Sequence, residues 1–575
     1  MTKATSSTFS NFNYKKIDKI YEKIGLINKN NYIKLIDEIL LDYQFIKEDE
    51  KYSKISVRKQ HGIYYTNFKL AYQITEEAMN KNDKSITNCK FLEPCVGLGV
   101  FVISYLEYIY DVYSLNKIEI EEVLSNIYIS DIDSIAVSLA KELISKYIKV
   151  KFDVEYKINN NNIYIGNVIY SDNSIHTVKS LFNKNFKFDI VLTNPPYKNL
   201  KASTKELNHL EYKEYQKYCK TLSELIKKGL KLQQGTINLY KVFIELIYAK
   251  FTTEEAIIGI IIPSSLLSDY TSSLLRKYIL DTSKINHIYL LNESSKEFNS
   301  ITQAMCFFGL KKNDISDNVK IIDMETKSNF YINLKEIQSI DSRSSLVKLT
   351  NNANSILNII HKFPKLKDID DIYNLRGELD LTLNKKYITE KITRYHLLQG
   401  KHIQEWKIKN DTKYVDESFL DANLTLKKSF INSERIICQQ ISNMSSNKRL
   451  KFSKIEKDNV LGNSCNFIAV KNDVNLDYLL AILNSYLMDW RFKLFSSNNH
   501  INNYELNDLP INLHNEYIDE IIKYSKEIQN GNLYKIVNLN KLIFKIYDIN
   551  NIYALEILNS YNDEYANILK DSLDL

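Results

Sequence analysis

Asn194, Pro195, Pro196 and Tyr197 lie in the run TNPPYKNL (193–200), directly after the apolar stretch FDIVL. The two prolines hold φ at about −65° and remove two backbone donors, so this loop is stiff and its carbonyl oxygens are free to face a ligand. Those residue types suit one kind of chemistry. An amine bonded to an aromatic ring, such as the exocyclic amine of adenine, is a poor nucleophile because its lone pair is delocalised into the ring. Two acceptors aimed at its hydrogens, the Asn194 side-chain oxygen and the Pro195 carbonyl, draw the nitrogen toward a tetrahedral shape and localise the pair. Tyr197 offers a flat face for a base to stack on, worth roughly 1–3 kcal/mol. Methyl transfer from a sulfonium to such a nitrogen needs in-line alignment rather than a strong base, so positioning supplies most of the gain.

A second constellation lies upstream. In KFLEPCVGLGVF, Gly97 and Gly99 let the backbone turn tightly after a strand and approach a ligand, with Glu93 and Pro94 holding the strand end and Cys95 in the turn. A plain structural turn explains such glycines about as well. The run is similar to the E/D-P-x-x-G-x-G turn of S-adenosylmethionine enzymes and lacks the spacing of a dinucleotide fingerprint. Asp131 follows NIYIS, with Ile132 and Asp133 after it; an acid at the end of a second strand is placed to accept from ribose hydroxyls. SDIDS also reads as a helix N-cap, and the two readings are compatible. Asn167 and Val168 follow NIYIG in the third-strand position.

The elements that must position these residues are legible between about 60 and 310. KFLEP (90–94), NIYIS (126–130), NIYIG (162–166), FDIVL (188–192), AIIGIII (256–262), INHIYLL (285–291) and AMCFFGL (304–310) are strand candidates, separated by helix-period segments such as DSIAVSLAKELISKYI. This alternation predicts an α/β fold with a largely parallel sheet and ligands beyond the carboxyl ends of its strands. Four successive strands present polar or glycine-rich ends, a far less accidental pattern than any one motif. Residues 12–48 read as one or two helices, a packing or oligomerisation appendage too short to be a nuclease. The polar stretch 311–345 reads as the passage into a second domain, mixed to about 510 and helical thereafter. The domains expected are 1–58, an N-terminal helical extension; 59–345, catalytic; and 346–575, ending in helices.

Length and composition set the bounds. A chain of 575 residues is too long for one core. Apolar residues at 44% and charged residues at 25% are ordinary for a globular protein, and a net charge of +6 decides nothing about partners. The abundance of Lys, Asn, Ile and Tyr suggests an AT-rich genome. The six cysteines form no C-x-x-C pair and the nine histidines no H-E-x-x-H pattern, so no metal is expected and a reduced, cytosolic setting fits. The N-terminus lacks an apolar h-region, and the longest apolar stretch falls far short of the ~20 residues of a membrane span.

With these residues in place, the sequence resembles the gamma-class, Taq-type N6-adenine DNA methyltransferases: cofactor motifs first, then NPPY, then a C-terminal target-recognition region. The likeness is close over about 60–310 and looser beyond. It implies a Rossmann-like S-adenosylmethionine-dependent domain with a mostly parallel seven-stranded sheet and a mixed α+β recognition domain. HGIYYTNF (61–68) is similar to the segment covering the methionine end of the cofactor, with Tyr64 and Thr66 in contact, although Asn67 replaces the family's usual Pro. Glu93, Pro94, Cys95, Gly97 and Gly99 match the glycine-turn motif; Asp131, with Ile132, matches the ribose-binding acid. Asn167, beside Val168, replaces the family's Asp facing the adenine amine, and an Asn oxygen still accepts. NLYKVFIEL (238–246) and GIIIPSSLL (259–267) match the family's next helix and strand. EFNS (297–300) falls where the family packs an aromatic against the flipped base, which assigns that role to Phe298. The resemblance further implies base flipping in double-stranded DNA, a cytoplasmic, nucleoid-associated bacterial setting, a monomer, and a separately encoded restriction endonuclease as a partner.

In the C-terminal half, SSNKRLKFSK (445–454) clusters Lys448, Arg449, Lys451 and Lys454, a run suited to phosphates or equally to a solvated loop. RGELDLTLNKKYI, LLQGKHIQEW and LLAILNSYLMDWRFKLFSS resemble segments of recognition domains, while Gln439, Gln440, Asn443 and Asn447 are residue types that read adenines. Two rival readings stay open: an NPPY enzyme acting on protein glutamine or RNA adenine, and a catalytically idle DNA-binding subunit.

Overall fold

The computed structural model describes residues 14–49, 51–52, 55–56, 66–171, 174–201, 209–291, 304–409, 413–421, 425–471, 473–496 and 499–573. They form two compact units that divide between Lys335 and Glu336, where the catalytic domain was expected to end at 345.

The first unit is built on a ten-stranded sheet. Its strands are β1 (Phe91–Glu93), β2 (Ile127–Asp131), β3 (Ile163–Ile165), β4 (Phe188–Thr193), β5 (Thr252–Pro263), β6 (His287–Leu291), β7 (Met305–Lys312), β8 (Asn318–Asp323) and β9 (Asn329–Asn333), with the short strand Ser283–Lys284 pairing on β7. The order is 9-8-6-7-5-4-1-2-3. β1 to β5 run parallel, and β7 lies antiparallel between β5 and β6. All seven expected strands are present. β4 and β5 are buried almost throughout, as apolar runs covered on both faces must be.

The stretch 311–345, read from sequence as a polar connection, instead supplies β8 and β9, which with the short strand Ser283–Lys284 bring the sheet to ten strands rather than seven. β8 alternates buried with exposed residues, as an outer strand facing water on one side does.

The helices are α1 (Tyr14–Gly25), α2 (Tyr32–Asp49), α3 (Phe68–Met79), α4 (Val100–Val112), α5 (Lys117–Ser125), α6 (Ser134–Phe152), α7 (His209–Gly229), α8 (Leu239–Leu246) and α9 (Ser273–Thr282). α1 and α2 bury Ile17, Ile20, Ile24, Ile36 and Ile39 inside this unit. α3 lies flat on β5 and β7, where Gly259 and Gly309 face each other across the ladder. A Cβ on Gly309 would stand 2.6 Å from the Ala78 Cα. Asn67, in place of the family's Pro, caps α3 by accepting from the Leu70 N–H at 2.8 Å; a capping Asn and a leading Pro both suit a helix start.

The second unit contains two four-stranded sheets. With β10 (Ile372–Arg376), β11 (Ile388–Thr389), β12 (Tyr395–Leu398), β13 (Tyr414–Val415), β14 (Arg435–Gln439), β15 (Phe452–Ile455), β16 (Asn459–Leu461) and β17 (Cys465–Val470), their orders are 10-17-14-15 and 11-13-12-16. Glu378 of RGEL and Arg435 form a fully buried ion pair, and the chain ends in helices from Ile518 onward.

Gly309→Ala forces a methyl group against the α3 backbone. We expect it to lower stability by about 1–3 kcal/mol, read as an earlier thermal unfolding transition, while Ala at the solvent-exposed Gly25, where no atom lies within 4 Å of a new Cβ, has no such effect.

Candidate active site

Because β1 to β4 are parallel, Glu93, Asp131, Asn167 and Asn194 all emerge on one rim. After β1 the chain turns through Gly97 and Gly99, with φ of 49° and 87°. Gly99 leads into α4, and a Cβ there would stand 2.7 Å from Ile144 Cδ1 of α6, so only glycine lets these helices close on the turn. The Asp131 carboxylate closes the same turn from β2. It accepts from the Gly97 N–H at 2.9 Å and from the Asp133 N–H at 3.0 Å. Burial pushes this carboxyl up to about 6 despite those hydrogen bonds.

Glu93 accepts from the Cys95 N–H at 3.2 Å through one oxygen. Its other oxygen is buried; the Thr193 hydroxyl lies beside it but outside hydrogen-bond geometry. Burial holds this carboxyl well above the usual range. Asp133 caps α6 through the N–H groups of Ile135 and Ala136. It is held in turn from α2, by Lys47 at 3.0 Å and the Tyr43 hydroxyl at 2.8 Å. Burial opposes the Asp133 charge, but Lys47 and Tyr43 outweigh it and keep the carboxyl below its ordinary range.

Asn194 is fixed from two sides. Its Nδ2 donates to Thr66 Oγ1 at 3.0 Å, and its Oδ1 meets the Tyr197 hydroxyl. That hydroxyl also reaches the Ile261 carbonyl of β5 at 2.9 Å. Tyr197, expected to offer a flat face for a base to stack on, is 8% exposed, with its hydroxyl directed to Asn194 and Ile261. Its ring meets Tyr240 of α8 edge-on, at 6.4 Å and 79°. Pro195 is buried.

A cavity of about 190 Å³ opens on this rim. Thr66, Pro94, Cys95, Gly97, Asp131, Ile132, Asn167, Val168, Asn194 and Pro196 line it. Glu93 and Gly99 are absent from the lining. The Asn167 side-chain oxygen accepts from the Ile169 N–H at 2.9 Å, so it shapes its own loop and keeps one lone pair for a ligand. Tyr64 and Phe298 lie outside the described residues. The sequence reading missed Tyr218 and Leu222 of α7 and Leu239 and Phe243 of α8, which also line the cavity; of these, only the NLYKVF run carrying Leu239 and Phe243 offered a signal.

Residues 125–298 match the family model for the Eco57I restriction-modification methylase, and residues 395–511 match that for the TaqI-like C-terminal specificity domain. The chain therefore carries a restriction-modification methylase domain and a TaqI-like specificity domain. The type II restriction enzyme and methyltransferase RM.Eco57I of Escherichia coli is 22% identical over 367 residues, 56% of this chain and 35% of that protein. The type II methyltransferase M.AccI of Acinetobacter calcoaceticus is 22% identical over 331 residues, 57% of this chain and 47% of that protein. The matches thus span less than half of either relative. A nuclease-deletion mutant of the type ISP restriction-modification enzyme LlaGI, solved with a DNA substrate mimic, shares the fold with a TM-score of 0.50 at 14% identity. That likeness covers 91% of this chain and 52% of the other.

Within the specificity domain, the basic run expected to touch DNA is largely internal. Lys448 is buried and donates to Glu405 and to the Asn484 carbonyl. Arg449 is buried and donates to Ser496 Oγ at 2.7 Å. Lys454 pairs with Asp477 at 2.8 Å, and Lys451 is half-buried. Lys454 ties β15 to the helix Leu476–Leu483 that carries Asp477, and the partners of Lys448 and Arg449 are likewise distant in sequence. Asn447 is likewise committed, to Asp563 and the Asn562 N–H, and Gln440 accepts from Arg376. Among the described residues, no helix is long and apolar enough to cross a membrane.

Lys47→Met leaves the Asp133 carboxylate without its cation. We expect a loss of roughly 2–4 kcal/mol in denaturant unfolding at neutral pH, with the Asp133→Asn, Lys47→Met double variant recovering part of it.

Proposed function

We propose that this chain transfers a methyl group from S-adenosylmethionine to N6 of an adenine flipped out of double-stranded DNA. The observation that carries this reading is that the Asn194 loop and the Gly97–Asp131 turn open into one cavity, so a nucleophile held by the first faces a ligand held by the second. The residues fit that cofactor. Asp131 offers a carboxylate to vicinal hydroxyls, and Ile132 is 56% exposed at the cavity, an apolar surface waiting for cover. The unpartnered Glu93 oxygen adds a buried acceptor behind the turn. When bound, the cofactor supplies an electrophilic methyl group on a sulfonium.

The chain's own work is to orient the amine. The Tyr197 hydroxyl has one proton and two acceptors in reach, Asn194 Oδ1 and the Ile261 carbonyl. Turning that proton to Ile261 frees Oδ1 to accept from the incoming amine. Thr66 meanwhile holds Nδ2, so the amide cannot turn its wrong end to the substrate. The Pro195 carbonyl is the second acceptor. A duplex hides N6, which requires the base to leave the stack. The TaqI-like specificity domain and the type II methyltransferases among the relatives favour DNA over protein glutamine or RNA. A separately encoded nuclease is the expected partner, in a restriction-modification or epigenetic role.

Transfer of labelled methyl groups to duplex DNA, RNA and protein substrates tests the reading; label on protein or RNA alone would refute it, and failure to bind the cofactor would favour an idle subunit. Asn194→Ala is expected to abolish transfer while sparing cofactor affinity. Tyr197→Phe, which keeps the ring but not the hydroxyl, should lower turnover at least tenfold; normal turnover in Tyr197→Phe with loss in Tyr197→Ala would assign the role to the ring. Asp131 must be ionised to accept from two hydroxyls, so cofactor affinity should be flat above pH 7. It should weaken as pH falls through about 6, by at most about tenfold per pH unit, and Asp131→Asn should bind weakly with that dependence gone.

A further inference from the structure

α7 has no place in the motifs that define the site, yet it forms part of the cavity wall through Tyr218 and Leu222. Two contacts hold the helix across the rim. The Tyr218 hydroxyl lies near the side chain of Tyr170, which directly follows the β3 loop residues Asn167, Val168 and Ile169. α7 also packs on the short strand Ser174–Ile175, which pairs with Tyr170–Ser171. At the other side, Lys198, the residue after the NPPY run, places its ammonium 5.0 Å from the centre of the Tyr215 ring. Tyr215 and Tyr218 stack at 5.8 Å and 29°. The helix thus spans from the catalytic loop to the third-strand loop.

We propose that Tyr218, backed by Leu222, is the wall against which the adenine ring of the cofactor lies. This rests on the methyltransferase reading above. The end of the cavity is fixed by the residues themselves: Asn194 and Thr66 mark where the methyl group must be delivered, Asp131 marks the ribose, and Tyr218 stands with the β3 loop beyond it. A purine needs a flat, apolar or aromatic partner there, and the ring of Tyr218 supplies one. Stacking of a base on an aromatic ring changes affinity by about tenfold or more on removal.

The test is calorimetric titration of S-adenosylhomocysteine and of adenosine into the full chain and its variants, with thermal unfolding measured alongside. Tyr218→Phe keeps the ring and should bind both ligands within about threefold of the unmodified protein. Tyr218→Ala should weaken both by about tenfold or more, to the same extent, because adenosine carries the ring and lacks the methionine end. Tyr218→Leu, which fills the volume without an aromatic face, should show the same loss and serves where Tyr218→Ala unfolds early. Unchanged affinity in Tyr218→Ala and Tyr218→Leu would overturn the assignment. Equal losses in Tyr218→Phe and Tyr218→Ala would overturn it too, showing that the hydroxyl matters and the ring does not. An unmodified protein that binds neither ligand would instead refute the methyltransferase reading itself.

Discussion

Five strands running in the same direction are the constraint on which the site depends. In a parallel sheet every strand ends on the same side, so residues separated by a hundred positions in sequence meet without any one of them being close to another along the chain. β1 lies between β4 and β2, so the glycine turn has the Asn194 loop on one side and Asp131 on the other. The chain reverses its direction of winding at this point, and the opening between the diverging connections is the cavity. An alternating antiparallel arrangement of the same strands would leave Asp131 and Asn194 on one edge but send the glycine turn of β1 to the other.

Within that frame, the position of Asn194 is set by packing that begins elsewhere. Thr66 stands just before the first residue of α3, and α3 is seated by Gly259 and Gly309 in adjacent strands. Asp37 of α2 accepts from the Phe68 N–H at 2.7 Å and so secures the same helix end. α2 also reaches Asp133 through Lys47 and Tyr43. The N-terminal helices therefore brace both flanks of the site: the helix that presents Thr66 and the loop that follows Asp131. Their apolar faces gave the packing, and their few buried polar groups gave its register.

The seven strands were legible because strands covered on both faces are apolar throughout and their neighbours have helical period. β8 and β9 were not, because outer strands with one wet face carry as many polar residues as a linker. The rim residues were legible because glycine, proline and acid types at strand ends have few other uses together. What sequence could not show was orientation: whether Tyr197 faces out to a base or in toward Ile261 depends on the hydrogen bonds that the fold offers its hydroxyl. The basic run at 445–454 misled for a related reason. Local charge reads as surface, whereas Glu405, Asp477 and Asn484, which bury it, lie at other positions in the chain. α7 carried no motif and so carried no warning that it walls the cavity.

The acids of the rim also indicate what kind of ligand completes it. Burial raises both Glu93 and Asp131, and the Asp131 charge disfavours ionisation of Glu93 further. Holding carboxyl groups in such surroundings destabilises their charged forms, a cost that an apolar side chain of similar size would avoid. The cost is offset when a ligand brings hydroxyl donors and positive charge to the same place. S-Adenosylmethionine, the cofactor of the proposed reaction, carries both: two ribose hydroxyls, an ammonium and a sulfonium. Its demethylated product keeps the hydroxyls but has lost the sulfonium charge. Of the two acids only Asp131 lines the cavity, so it is the desolvation of the Asp131 carboxylate that hydroxyl donors from such a ligand would offset.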